Sequence, residues 1–168
     1  MTLQEHAEKL ARVFRKKHIC VLFAAGLLGI LLVPTAGAAR RASSEATLLQ
    51  AVNATRQAHG LRPLRVDPLL RTAARSWSGS LLRANAFTHG DFTDRMKAFH
   101  VYGLAGENLA WGTGSYARAG SVIAMWLASP GHRANLLSPS YRRIGIGIAR
   151  GTFQGHPDAA VVAADFGG

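Results

Sequence analysis

The chain has 168 residues, 20 Lys plus Arg against 9 Asp plus Glu, a net charge of +11, 48% hydrophobic residues and a single cysteine. That is one domain's length with apolar content too high for a disordered tail, and one thiol can form neither an internal disulfide nor a cysteine metal cage. No basic stretch is interleaved with aromatic residues, which argues against nucleic acid as a partner.

Residues 1–38 read as a signal peptide rather than as part of the fold. Lys9, Arg12, Arg15, Lys16 and Lys17 lead into the apolar run from Ile19 to Val33, whose 15 residues fall short of the ~20 needed to cross a bilayer. Ala36-Gly37-Ala38 then offers the small-residue pattern that signal peptidases accept, so cleavage is expected after Ala38. The mature chain is then secreted or periplasmic and meets the membrane only transiently. The alternative reading of the same residues is an uncleaved anchor with the domain outside. Cys20 leaves with the segment. From Ala39 onward 15 Lys plus Arg face 7 Asp plus Glu, a net charge of +8, and 14 of the cations are arginine. A field of that sign draws anionic envelope polymers or lipid headgroups to the surface. A plain solvated arginine-rich surface accounts for the same count.

Residues 39–44 read as a short polar leader in which Ser43 or Ser44 caps the first helix. Leu48, Leu49 and Val52 continue the spacing begun at Glu45 as one apolar stripe, and Gly60 stops the helix. Asp67-Pro68 places a capping carboxylate before a proline at the first helical position, and Leu70, Ala73, Ala74, Trp77 and Leu81 carry the second helix to about Ala84. A loop holding Phe87-Thr88-His89-Gly90 leads to a short helix over 93–99. An extended segment over 102–111 follows, then a helix through Val122, Ile123 and Trp126, then a helical turn opened by Ser129-Pro130. Ile144, Ile146 and Ile148 alternate with Gly145 and Gly147, the period of a strand whose glycine face must lie against another backbone or a helix. A turn over 155–158 and a last strand over 159–166 complete an α+β pattern within residues 45–168.

Glu107 stands in Leu104-Ala105-Gly106-Glu107-Asn108-Leu109-Ala110-Trp111, where a carboxylate has to be paired, metal-bound or protonated to be tolerated. A glutamate that merely holds a loop through backbone N–H groups fits the same residues. His132 follows Ser129-Pro130-Gly131 and so falls in the first turn of a helix, whose positive end favours a neutral ring. His89 sits on a connection, where site residues tend to lie. The three are 18 and 25 residues apart, no H-E-x-x-H or G-x-S-x-G occurs, and spacing alone does not join them. His59, His100 and His156 read as surface residues, and Trp77, Trp111 and Trp126 as core.

Four segments in order carry a family resemblance: Asn53, Arg56 and Gly60-Leu61 with Leu64, Asp67, Leu69 and Ala73; Phe87-Thr88-His89; Gly106-Glu107-Asn108; and Trp126 followed by Ser129-Pro130-Gly131-His132-Arg133-Ala134-Asn135. From about Glu45 to the C-terminus the chain resembles the bacterial branch of the CAP superfamily, the SCP-domain group of cysteine-rich secretory proteins, venom antigens and pathogenesis-related proteins. The resemblance implies a three-layer α-β-α sandwich around an antiparallel sheet. It also implies that His89, Glu107 and His132 line one ligand cleft, with Asn108, Ser129, Arg133 and Asn135 supporting it. In some relatives the cleft holds a divalent metal, so zinc on His89 and His132 is the cofactor the resemblance allows, with water in an open position. The implied function is a binding module for an envelope polymer, lipid or protein. Its rival is a metal-assisted, peptidase-like hydrolase with Glu107 as the catalytic base. Animal and plant members carry a further cleft histidine that this chain lacks, with Asp165 a distant substitute at most, and this tilts the reading toward binding.

Overall fold

The computed structural model describes residues 36–168, with side chains described from Ser44 onward. The apolar run and Cys20 of the expected signal peptide lie outside the described residues. Helix α1 (Ala36–Ala58) already includes 39–44, so positions 43 and 44 are interior to the helix rather than its caps. The reason is local: Ala38, Ala39, Arg40, Arg41 and Ala42 are strong helix formers and carry the helix back toward the N-terminus.

The two family-like polar residues of α1 are structural. Asn53 exchanges hydrogen bonds with the backbone of Leu64 at 2.8 and 3.1 Å. Arg56, fully buried, donates to the carbonyls of Arg62 at 3.0 Å, Leu136 at 2.9 Å and Ser138 at 3.0 Å, tying the loop after α1 and the segment 136–138 to one guanidinium. Strand β1 (Arg65–Val66) then leads into α2 (Pro68–Ala84), where Asp67 accepts from the backbone of Leu69 and Leu70 at 2.8 and 3.1 Å. Asn85, at φ 51°, closes the helix in the left-handed conformation.

After α3 (Phe92–Ala98) come β2 (Ala105–Gly112), a 3-10 turn (Gly114–Ala117), α4 (Ala119–Ala128), α5 (Pro130–Leu136), β3 (Arg143–Phe153) and β4 (His156–Gly167). The sheet order is β1-β3-β4-β2. β4 runs antiparallel to both neighbours, whereas the two-residue β1 pairs parallel to β3, a departure from a purely antiparallel sheet. Ile144, Ile146 and Ile148 pack with Leu48, Val52, Val122, Trp126 and Leu136 on one face. On the other face the glycines of β3 lie against α2: a Cβ on Gly145 would come within 2.0 Å of the Leu70 carbonyl carbon, and one on Gly147 within 2.3 Å of that of Ala74. Helix backbone rests directly on strand there, as the alternating glycines require. The result is the α-β-α sandwich, with α1, α4 and α5 on one side and α2 and α3 on the other.

β2 is an edge strand, and two of its outer carbonyls are covered by side-chain donors. Trp126 Nε1 donates to Leu109 O at 2.9 Å and Asn135 Nδ2 to Glu107 O at 3.0 Å. Such capping blocks pairing by another strand.

Candidate functional site

The Gly106-Glu107-Asn108 triplet works through strand alternation, which sends successive side chains to opposite faces. Gly106 has no room for a side chain, since a Cβ would come within 2.3 Å of the Tyr141 hydroxyl and 2.9 Å of Asn135 Oδ1. Asn108, fully buried, donates from Nδ2 to His132 O at 2.9 Å and accepts from Asn135 Nδ2 at 3.1 Å. These bonds fasten α5 to β2. Glu107 points the other way, onto the face shared with α2 and α3.

There the structure brings the predicted groups together. His89 Nδ1 lies 2.7 Å from Glu107 Oε1. The rings of His89 and His132 have centroids 6.2 Å apart and planes inclined at 45°. His89 is half exposed, at 54% of its side chain, while the Glu107 side chain retains only 2%. Burial pushes the His132 imidazole below its ordinary value, and a charge on His89 would push it the same way. Ser129 stands at the N-cap of α5 as expected, but its hydroxyl makes no capping hydrogen bond. Arg133 is exposed and its backbone serves only the turns of α5. Asn108 and Asn135 are the residues of the predicted support that hold the cleft together.

One residue of the site escaped the sequence reading, and a second was weighed there only as a distant substitute for a histidine. Arg95 of α3 donates from Nη2 to Glu107 Oε2 in a short ion pair and from Nη1 to His89 O at 2.9 Å, so one guanidinium grips both the acid and the loop carrying the imidazole. Its side chain is only 8% exposed, and its Cζ lies 4.1 Å from the centre of the Trp77 ring. Trp77 is therefore half-buried packing for the site, not simply core. Gly90 turns beneath it at φ 56°, where a Cβ would come within 2.9 Å of the indole. A buried carboxylate requires a partner, and that much was legible; which of many scattered arginines supplied it was not. The second is Asp165, the register partner of Glu107 across β2 and β4. It is fully buried and no donor reaches either of its oxygens. Burial, and then the adjacent Glu107 charge, push its carboxyl well above the usual carboxylate range.

The donor set fits a hydrogen-bonding cleft better than a zinc centre. Both Glu107 oxygens are engaged, one by His89 and one by Arg95, which leaves two imidazoles where a catalytic zinc takes three protein ligands. Among the described residues no group of three or more His, Cys, Asp or Glu is arranged to hold a metal ion.

The model of the cysteine-rich secretory protein family, CAP, matches residues 49–164. The chain is 38% identical over 109 residues to the Bacillus subtilis protein YkwD, an alignment covering 61% of this chain and 41% of that one. It is 33% identical over 114 residues to the Bacillus subtilis membrane protein YlbC, covering 64% of this chain and 32% of that one. The matched part thus spans well under half the length of these curated relatives. Among solved structures, an extracellular protein of Bacillus anthracis containing an SCP domain is similar with a TM-score of 0.62 at 25% identity, covering 75% of this chain and 40% of that one. An outer surface protein of Borrelia burgdorferi shares the fold with a TM-score of 0.63 at 24% identity, covering 74% and 92%. Among the described residues no helix is long and apolar enough to cross a membrane.

Proposed function

Because the chain belongs to the cysteine-rich secretory protein (CAP) family, we propose that it is an extracytoplasmic binding module whose His89, Glu107 and His132 cleft recognises a component of the cell envelope. The observation that carries this reading is the state of Glu107. With 2% of its side chain exposed and both oxygens held by His89 and Arg95, it orients the imidazole instead of meeting a substrate. What faces outward is the imidazole pair, which offers hydrogen bonds to a polar ligand. The net charge of +8 beyond Ala38 favours an anionic polymer or headgroup over a neutral one.

One geometric feature supports the rival hydrolase in altered form. A carboxylate on His89 Nδ1 fixes the tautomer with Nε2 free, the orientation a general base requires. In that reading His89 is the base and Glu107 its orienter, with no step through a metal.

The test uses the exported protein. Retention on purified cell-wall material and on anionic phospholipid vesicles should fall at least ~10-fold in His89→Ala and His132→Ala while melting temperature stays close to the parent, consistent with the loss of one or two hydrogen bonds to ligand. Equal retention by both variants would overturn the cleft reading. Turnover of any peptide, ester or glycan substrate that disappears in His89→Ala would favour the hydrolase. Intact mass of the exported chain should begin at Ala39; a full-length mass would replace cleavage by anchoring.

A further inference from the structure

Asp165 is the one buried acid of the site for which the cleft chemistry above has no use. It stands on β4 directly opposite Glu107 on β2, on the same sheet face, fully buried. Its other neighbour in register, on β3, is Gly145, and α2 crosses Gly145 with the backbone of Leu70 and Arg71. Neither β3 nor α2 therefore offers it a charged side chain there, and the groups that act on it electrostatically are Glu107 and Arg95. Arg95 is already committed to Glu107 and to the carbonyl of His89. One guanidinium balances one carboxylate. A second buried anion beside the first would stand uncompensated, an arrangement a desolvated interior strongly disfavours.

With no donor reaching either oxygen, Asp165 can satisfy itself in only one way, by donating, and the acceptor beside it is the Glu107 carboxylate. We propose that Asp165 is a positioning residue of the cleft: as a neutral carboxylic acid it donates its O–H to Glu107, so that Asp165, Arg95 and His89 together fix the carboxylate that orients the His89 ring. The pair is one proton shared by two carboxyl groups, with Arg95 neutralising the single remaining charge. The inference concerns residues of the free protein and does not rest on the proposed ligand, so its failure would leave the binding reading intact.

Carbon-13 NMR of the carboxyl groups and nitrogen-15 NMR of the imidazoles, on the ligand-free protein, test it. The Asp165 carboxyl carbon should keep the chemical shift of the protonated acid from pH 5 to pH 8. Asp165→Asn, which retains a donor of similar shape, should preserve the nitrogen-15 signature of the His89 Nδ1–H tautomer, because no charge has been removed and the donor to Glu107 remains. Asp165→Ala removes the donor, leaves Glu107 a stronger acceptor, and should change the nitrogen-15 shift of the hydrogen-bonded His89 Nδ1. A carboxylate shift for Asp165 at pH 7 would overturn the proposal. So would loss of the His89 Nδ1–H tautomer signature in Asp165→Asn, which keeps the donor. Equal His89 behaviour in the Asn and Ala variants would reduce Asp165 to a packing residue. If the Ala variant does not fold, the parent spectrum and the Asn variant decide alone.

Discussion

Arg95→Met removes the charge that holds Glu107 while keeping an aliphatic stem to lie on Trp77. The Glu107 side chain is 2% exposed and that of Arg95 8%, so solvent cannot replace the lost partner. Removing one member of a buried pair typically costs ~3–5 kcal/mol, a large share of the roughly 5–15 kcal/mol that holds a domain together. For a domain of this size the loss translates to a drop of roughly 10–20 °C in melting temperature. Urea denaturation at pH 7 measures the cost. Arg95→Met combined with Glu107→Gln should regain at least ~2 kcal/mol over the single variant at pH 7, since the stranded charge is gone. A cost below ~1 kcal/mol for Arg95→Met, or a double variant no more stable than the single one, would refute the buried-pair argument.

Gly147→Ala places a methyl group 2.3 Å from the backbone of Ala74, which cannot swing aside like a side chain; it should lower stability by ~3 kcal/mol or more in equilibrium unfolding, or prevent folding. The His132 imidazole is pushed below its ordinary value by burial and then by His89. Its contribution to stability should be complete above the unfolded midpoint of ~6.5 and fall away as pH drops through its folded value, and His132→Gln should flatten that part of a stability profile. Because the cleft acid is held by Arg95, dialysis against a chelator should leave the melting temperature within about 1 °C, whereas a loss of several degrees would show a metal contributing to the folded state. Trp126→Phe deletes the hydrogen bond that covers Leu109 O on the edge of β2 and should cost ~1–3 kcal/mol by thermal denaturation.

Much of the architecture was legible because it depends on near neighbours in sequence. Asp67-Pro68 announced the start of α2, and the Ile-Gly alternation announced both a strand and the helix backbone pressed against it. Helix α1 was misjudged at its start, since the serines that suggest a cap follow an alanine-rich stretch able to propagate the helix through them. The site was only half legible. The Gly106-Glu107-Asn108 triplet and the two histidines could be recognised by their wording, but Arg95 looked like any surface cation and Asp165 like no more than a distant substitute for a missing histidine.

By itself, then, the amino-acid order determined the helices, the glycine-faced strand, the family likeness and the need of Glu107 for company. Only the folded chain decided what that company is. Strand register set Asp165 opposite Glu107, and the short helix α3 delivered Arg95 into contact with both the acid and the carbonyl of His89. The physical reason is that propensity and periodicity act over a few residues, whereas the state of a buried charge depends on every group brought within a few ångströms of it, however far away along the chain.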